Sequence, residues 1–246
     1  MPDVHARFSP SSAERLIHCP PSLALGEECG SEDNGTEYTA EGTDAHTLCE
    51  YLLKTELGER MTDPRPKLKY YSAEMEECAC GYKDAFGTSD CIILGNGQMY
   101  VIDYKHGKGV PVSAEGENGN GNAQLKCYGL GAYLAFAPLY EIEDITLVVY
   151  QPRISNYSEY TLKPSELLQW AEEELKPAAE QALSGEGEYA CGSWCRFCKA
   201  KAVCRKLAEE NLALARYDFA PPASLEEDEI NEILGKLEEL KSWQRT

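Results

Sequence analysis

Between residues 87 and 105 the chain carries a pattern that forces it to turn back on itself. Gly87-Thr88-Ser89-Asp90 leads into the apolar run Cys91-Ile92-Ile93-Leu94, followed by Asn96-Gly97. Tyr100-Val101-Ile102 then ends in Asp103-Tyr104-Lys105. Asn-Gly between two apolar runs is a strong hairpin signal, because both central positions of the favoured turn need positive φ. The pattern predicts a strand over 88–94 and a return strand over 99–104. Asp90 stands near the start of the first and Asp103 near the end of the second, so antiparallel pairing brings them to one end of the sheet. Lys105, two residues after Asp103, points to the same face. Oxygen donors suit a hard divalent cation, and the lysine adds a fixed positive charge beside them. Either strand end taken alone reads as solvated; the acid at hairpin distance from Asp-x-Lys is what carries the site.

Two further stretches fit the same chemistry. Glu41-Gly42-Thr43-Asp44-Ala45-His46 reads as a helix start with Thr43 as N-cap, continuing through Leu48, Tyr51, Leu52 and Leu53 to near Gly58. His46 then sits in the first turn, with Glu50 one turn on and on the same face. A lone helical histidine is more often structural; here it offers a nitrogen ligand, with Glu50 as an orienting carboxylate. A second helix is predicted over 123–136. Gln124 and Tyr128 share one of its faces and offer hydrogen bonds to a phosphate or to the lysine.

The chain has 11 cysteines, and Met1-Pro2-Asp3-Val4-His5 opens no apolar signal region. The expectation is a reduced, cytoplasmic protein whose cysteines are core thiols or metal ligands. Cys29, Cys49, Cys78, Cys80, Cys91 and Cys127 are scattered and read mostly as packing residues. Cys191-x3-Cys195-x2-Cys198-x5-Cys204 is different. Close spacing with Arg196, Lys199, Lys201 and Arg205 around it favours ionised sulfur and a soft metal centre. These four alone are enough for a zinc site.

In this order the pieces resemble the PD-(D/E)XK nuclease superfamily, in its RecB-like branch. The resemblance rests on His46 in Gly-Thr-Asp-Ala-His, Asp90 in Gly-Thr-Ser-Asp, Asp103 and Lys105 in Asp-Tyr-Lys, and Gln124 with Tyr128 in Gln-Leu-Lys-Cys-Tyr. It runs from about residue 8 to residue 205. It implies a restriction-endonuclease-like α/β core, a mixed central sheet flanked by helices. It also implies Mg²⁺ or Mn²⁺ held by His46, Asp90, Asp103 and the Tyr104 carbonyl. Lys105 would position the attacking water, with Gln124 and Tyr128 supporting the substrate and the lysine. Asp103 stands where many relatives carry Glu.

The spacing Cys195-x2-Cys198-x5-Cys204 is similar to the last three ligands of the iron–sulfur members of this branch. These include AddB-type helicase–nuclease subunits and CRISPR-adaptation nucleases. Their fourth ligand lies far upstream, where this chain has Cys19 after Ser9-Pro10-Ser11-Ser12-Ala13-Glu14-Arg15-Leu16. The resemblance therefore implies a [4Fe–4S] cluster on Cys19, Cys195, Cys198 and Cys204, all thiolate. Cys191 competes with Cys19 for the fourth place, and Zn²⁺ is the alternative at this site. Such a centre would staple the two ends of the chain. The implied activity is that of a metal-dependent DNA nuclease, an exonuclease on linear or single-stranded DNA. It would serve phage-type replication or recombination, since the uncharacterised phage and prophage members it resembles are encoded among DNA-replication genes, in a bacterial or phage-infected cell and beside other replication proteins. The alternative is a non-catalytic or partner-dependent DNA-binding or scaffold module stapled by an iron–sulfur or zinc site.

The remaining pattern sets the organisation. Residues 1–206 read as the nuclease-like domain with its cysteine segments. Residues 207–246 read as an acidic amphipathic extension, a natural short form or a piece of a longer one. A first helical segment is expected over 8–24, a Gly-, Glu- and Asn-rich loop over 27–41, and a helix over 72–82. Residues 110–122 read as a Gly/Asn-rich loop, either closing on substrate or simply connecting. Strands are expected over 145–151 and, at an edge, 157–162. One long helix is expected over 165–183 and another over 224–243, with Ile230, Ile233, Leu234, Leu237 and Leu240 on a stripe. No stretch is apolar enough to span a membrane. Charge stands against the functional reading: 42 acidic against 23 basic residues give a net −19, whereas nucleic-acid binders usually show a basic footprint. Local basic stretches remain at 67–71, 105–108 and 196–206.

Overall fold

The computed structural model describes residues 7–30, 37–57, 67–69, 86–213 and 227–244. The N-terminal segment is not one helix. A 3-10 turn (Pro10–Ser12) leads into α1 (Ala13–His18) and then α2 (Ser22–Glu28). Pro20 and Pro21 make the break, since the residue before a proline is driven out of the helical region. Cys19 accordingly sits at φ −140°, ψ 70°.

Helix α3 (Glu37–Leu57) starts earlier than the capping signal suggests. Thr43 lies inside it, its carbonyl accepting a hydrogen bond from Thr47 Oγ1 at 3.0 Å, and is not the N-cap. His46 therefore stands in the helix interior. The helix expected over 72–82, with Cys78 and Cys80, lies outside the described residues.

The hairpin forms as its turn demands. β3 (Cys91–Gly95) and β4 (Gln98–Tyr104) pair antiparallel, with Cys91 opposite Ile102. Asn96 and Gly97 take φ of 52° and 74°. The first strand does not reach back to Thr88. Instead β2 (Phe86–Thr88) pairs with β1 (Lys67–Lys69) in a separate two-stranded ladder, and the chain steps into β3 through Ser89 and Asp90. Gly87 marks a close approach: a Cβ there would lie 2.4 Å from Pro10 Cγ and 2.9 Å from Tyr128 Cε1. Only glycine lets the turn before α1 and the Tyr128 ring meet at that strand.

Helix α4 (Ala123–Phe136) is the crossover between β4 and β5 (Asp144–Gln151), which lie parallel. β6 (Asn156–Leu162) pairs antiparallel with β5, and the sheet order is β3-β4-β5-β6. The architecture is thus a mixed four-stranded sheet flanked by helices, as the sequence predicts. α4 packs on β4 and β5, and α1 and α5 (Pro164–Trp170) pack on α4. Leu16, Met99, Val101, Leu125, Ile145, Leu147 and Leu167 are fully buried between these layers. Each such side chain contributes roughly 1.5–3 kcal/mol by leaving water.

The helix expected over 165–183 is three pieces: α5, a π-helical turn (Ala171–Leu175) and α6 (Lys176–Ser184). Pro177 is the cause. It has no N–H to give, and its ring clashes with a carbonyl one turn back, so the preceding turn widens. α7 (Arg205–Ala213) spans the expected domain boundary at 206, and its Leu207 is buried. α8 (Glu227–Gln244) packs against the 3-10 turn Ser193–Phe197. Along its apolar stripe Ile230 and Leu234 remain largely exposed.

The loop from Lys105 to α4 is tied down rather than free. Gln151, buried at the end of β5, donates from Nε2 to the carbonyls of Gly107 (2.7 Å) and Val110 (3.0 Å). Its Oε1 accepts from Val112 N. Asn156 Nδ2 donates to the Val112 carbonyl, and Ala114 N donates to Ser158 Oγ. Polar side chains at the ends of β5 and β6 thus satisfy a loop that composition alone reads as mobile or loosely connecting. Among the described residues no helix is long and apolar enough to cross a membrane.

Candidate functional site

The β3–β4 register places Asp90 across from Asp103 at one end of the sheet. Asp90 is held on two sides. Its Oδ2 accepts from Tyr104 N at 2.9 Å, and its Oδ1 lies 3.0 Å from His46 Nδ1. The His46 ring stands edge-on to Tyr104, 5.5 Å between centroids. Tyr104 thus contributes its N–H to Asp90 and its ring to His46.

Asp103 shares the buried face of β4 with Met99 and Val101 and is itself only 4% exposed. Lys105 Nζ pairs with its Oδ2 at 2.9 Å. Burial raises the Asp103 pKa, Lys105 pulls it back, and the Asp90 charge raises it further. From Lys105 a chain of side chains runs onto α4. Nζ donates to Gln124 Oε1 at 3.2 Å, and Gln124 Nε2 donates to the Tyr128 hydroxyl at 3.2 Å. Burial also pushes the Tyr128 phenol upward.

His46 with Asp90, and Asp103 with Lys105, Gln124 and Tyr128, thereby form two sets of contacts that the strand register places side by side. Two carboxylates and an imidazole with a lysine alongside are donors suited to a divalent cation of the Mg²⁺ or Mn²⁺ class. The Asp103 carboxylate, 4% exposed and paired with one lysine, is the feature that such a cation would further compensate.

The cysteines gather elsewhere. Cys19, Cys195, Cys198 and Cys204 line one cavity of about 20 Å³, with Arg15 and Lys201 also in its wall. Cys19 ends α1, and its carbonyl accepts from Ser22 N, which fixes the bend into α2. Arg15 Nη1 is anchored to Ser22 Oγ at 2.8 Å. Trp194 stacks on His18 at 4.3 Å, joining the N-terminal helix to the cysteine segment. Cys191 does not line the cavity; it lies beside Cys195, with its thiol pushed up to about 12 by burial and by the neighbouring Cys195 and Cys204 sulfurs. Among the described residues no three His, Cys, Asp or Glu side chains converge closely enough to hold a metal ion as they stand. The four sulfurs border a shared space instead of meeting at a point.

The profile of a family described as "Protein of unknown function (DUF2800)" matches residues 5–85 and 80–246. The chain belongs to the DUF2800 family. A solved structure described as the crystal structure of SSO0001 is similar to it over 80% of this chain and 85% of that one, with 17% identity and a TM-score of 0.46.

In this DUF2800 chain several residues around the sites escape a motif-based reading. Asn122 is the N-cap of α4, its Oδ1 accepting from Gln124 N and Leu125 N, and so sets the phase that aims Gln124 and Tyr128. The signal was present, an Asn directly before the helix. Glu41 on α3 bonds Arg153 Nη1 at 2.8 Å and lies 3.3 Å from His106 Nε2. His106 Nδ1 in turn lies 3.1 Å from the Tyr104 hydroxyl. No local pattern links Glu41 to Arg153. Cys49, read as packing, lies close enough to Asp90 for that charge, added to burial, to raise its thiol pKa. Cys91 and Cys127 are buried as expected.

Proposed function

We propose that this chain is a divalent-metal-dependent DNA nuclease of the PD-(D/E)XK type, in the RecB-like branch, acting as an exonuclease. The observation that carries the reading is the set of contacts from His46 through Asp90 and from Asp103 through Lys105 to Gln124, with Asp103 buried. A bound Mg²⁺ or Mn²⁺ would polarise the scissile phosphate and lower the pKa of a water. His46, Asp90 and Asp103 would hold that ion, with the Tyr104 carbonyl as a further oxygen donor. Lys105, fixed by Asp103 and Gln124, would orient the attacking water and offset the charge developing on the phosphate. Tyr128 fixes Gln124, and through it the lysine.

The same reading assigns Cys19, Cys195, Cys198 and Cys204 to a structural [4Fe–4S] cluster, with Zn²⁺ as the alternative. Their lining of one shared cavity supports a common centre, and the position of Cys191 outside that lining supports Cys19 as the fourth ligand. A cytoplasmic place beside replication or recombination proteins completes the reading.

The test is anaerobic digestion of end-labelled linear DNA, single- and double-stranded, with Mg²⁺ or Mn²⁺. Wild type should shorten the label progressively. Asp103→Ala and Lys105→Ala should each lose about 10²–10³ in rate, as when a charge-stabilising group is removed from an active site. A folded, metal-supplied wild type that leaves all substrates intact overturns the nuclease reading.

A further inference from the structure

A chain of net charge −19 offers few places for a polyanion to land. The basic stretch richest in cations is 196–206. Residues 196–206 contain Arg196, Lys199, Lys201, Arg205 and Lys206 and no acidic residue. They run from the end of the 3-10 turn Ser193–Phe197 into α7, along the outside of the cysteine cavity. Arg196, Lys199 and Arg205 are exposed. Lys206 is instead paired with Glu210 at 3.2 Å, and Lys201 turns to the Arg196 carbonyl.

Among these cations stands Phe197, 76% exposed. The Arg196 guanidinium lies 5.7 Å from its ring centroid. A single exposed aromatic means little. An exposed ring with a guanidinium beside it, inside an acid-free basic run, is a stacking platform flanked by phosphate binders. α8 packs against this turn and still leaves the ring open. Elsewhere Lys105 is already engaged by Asp103 and Gln124.

We propose that residues 196–206 are a landing surface for single-stranded DNA, with Phe197 stacking on an unpaired base and Arg196 and Arg205 holding the flanking phosphates. The choice of DNA as the polyanion rests on the nuclease reading. An acidic protein segment would use the cations but gain little from the ring, and a duplex keeps its base faces covered. The surface resolves the charge objection locally: affinity comes from a short strip, while the acidic remainder repels strand lying anywhere else.

The test measures binding of a fluorescent (dT)20 by anisotropy, using anaerobically purified full-length protein with no added Mg²⁺ or Mn²⁺. Binding is thereby read separately from hydrolysis, and failure of the nuclease reading, seen as intact DNA with metal present, stays distinguishable. Phe197→Ala should weaken binding about tenfold while keeping the salt dependence, and Phe197→Trp should restore it. Arg196→Gln with Arg205→Gln should lower the slope of log K against log salt by about 1.4, near 0.7 per lost phosphate contact. All three positions are exposed, so the fold is retained. No binding by wild type, binding by these variants equal to wild type, or equal displacement of (dT)20 by poly-glutamate with Phe197→Ala silent would each overturn the proposal. The last outcome would mark the strip as a site for an acidic protein.

Discussion

The carboxylate site and the cysteine cavity are built on opposite principles. Asp90, Asp103 and Lys105 come from one hairpin, so their mutual placement is settled by the Asn96-Gly97 turn and the strand register. Cys19 comes from the start of the chain and its cavity partners from near residue 200, so nothing local brings them together. The first is a short-range arrangement, its three residues set within one hairpin. The second closes almost the whole chain into a loop, and what holds it together contributes to folding itself. The N-terminal segment touches both. Pro10 seats against Gly87 and Tyr128, and Cys19 nine residues later lines the cavity. Disturbing one end of this segment should therefore be felt at both.

The largest expected effect breaks the comparison if it fails to appear. Cys198→Ser, with the thiol buried at the cavity, should lose bound iron or zinc and lower Tm by more than about 10 °C. A structural thiolate centre contributes on the order of 10 kcal/mol of binding free energy, and about 1 kcal/mol shifts a domain of this size by ~2–4 °C. Amide exchange in α1 and α2 should rise with it, because His18 and Cys19 lose their counterpart. Metal analysis, thermal melts and exchange mass spectrometry read this directly. Unchanged Tm and metal content would make these cysteines packing residues.

A smaller effect sharpens the other half. Gln124→Ala removes the acceptor for Lys105 and the donor to Tyr128. The side chain is half-buried, so stability should change by about 1 kcal/mol or less, the net worth of a hydrogen bond. Hydrolysis should fall about tenfold or more, since the lysine loses its fixed direction. Measuring rate and Tm on the same preparation separates the two. A large Tm loss with proportionate rate loss would mean that Gln124 is structural.

This division explains what could be read in advance. The hairpin, its paired acids, α4 and its Gln-Tyr face and the strands β5 and β6 follow from periodicity and turn chemistry, which are local. The π-helical turn before Pro177 was legible in principle, since that proline sits inside an otherwise helical pattern. The early start of α3 was not: Thr43 has a capping side chain, but capping preference is weak beside a run of residues that tolerate helix on either side. The tying of the 107–122 loop by Gln151 and Asn156 depends on side chains more than thirty residues away. So does Glu41 meeting Arg153. Contacts of that range leave no spacing to read.

Glu41 offers the finest test of the difference, because it is where a long-range contact serves the local site. It joins α3, which carries His46, to Arg153 and His106 near the ends of the strands. Its pKa is lowered from 4.5, first by the hydrogen bond with His106 and also by the Arg153 charge. A carboxylate whose folded pKa is depressed adds stability above its unfolded value, and that stability is lost as pH falls through the lower folded value. Acidification through and below the ordinary glutamate range should therefore loosen α3 in wild type, read as faster amide exchange over residues 40–53. Glu41→Gln should show the looser state already at neutral pH and lack this acid-dependent step. Because the group is exposed, the expected shift is a few-fold in exchange rate, as for surface ion pairs. Mn²⁺ affinity should weaken by a similar factor, since His46 is then less firmly presented to Asp90. If exchange in α3 is the same in both proteins across the pH range, the helix is held by its other contacts. His46 would then owe its position to the helix body and not to the Glu41 pair.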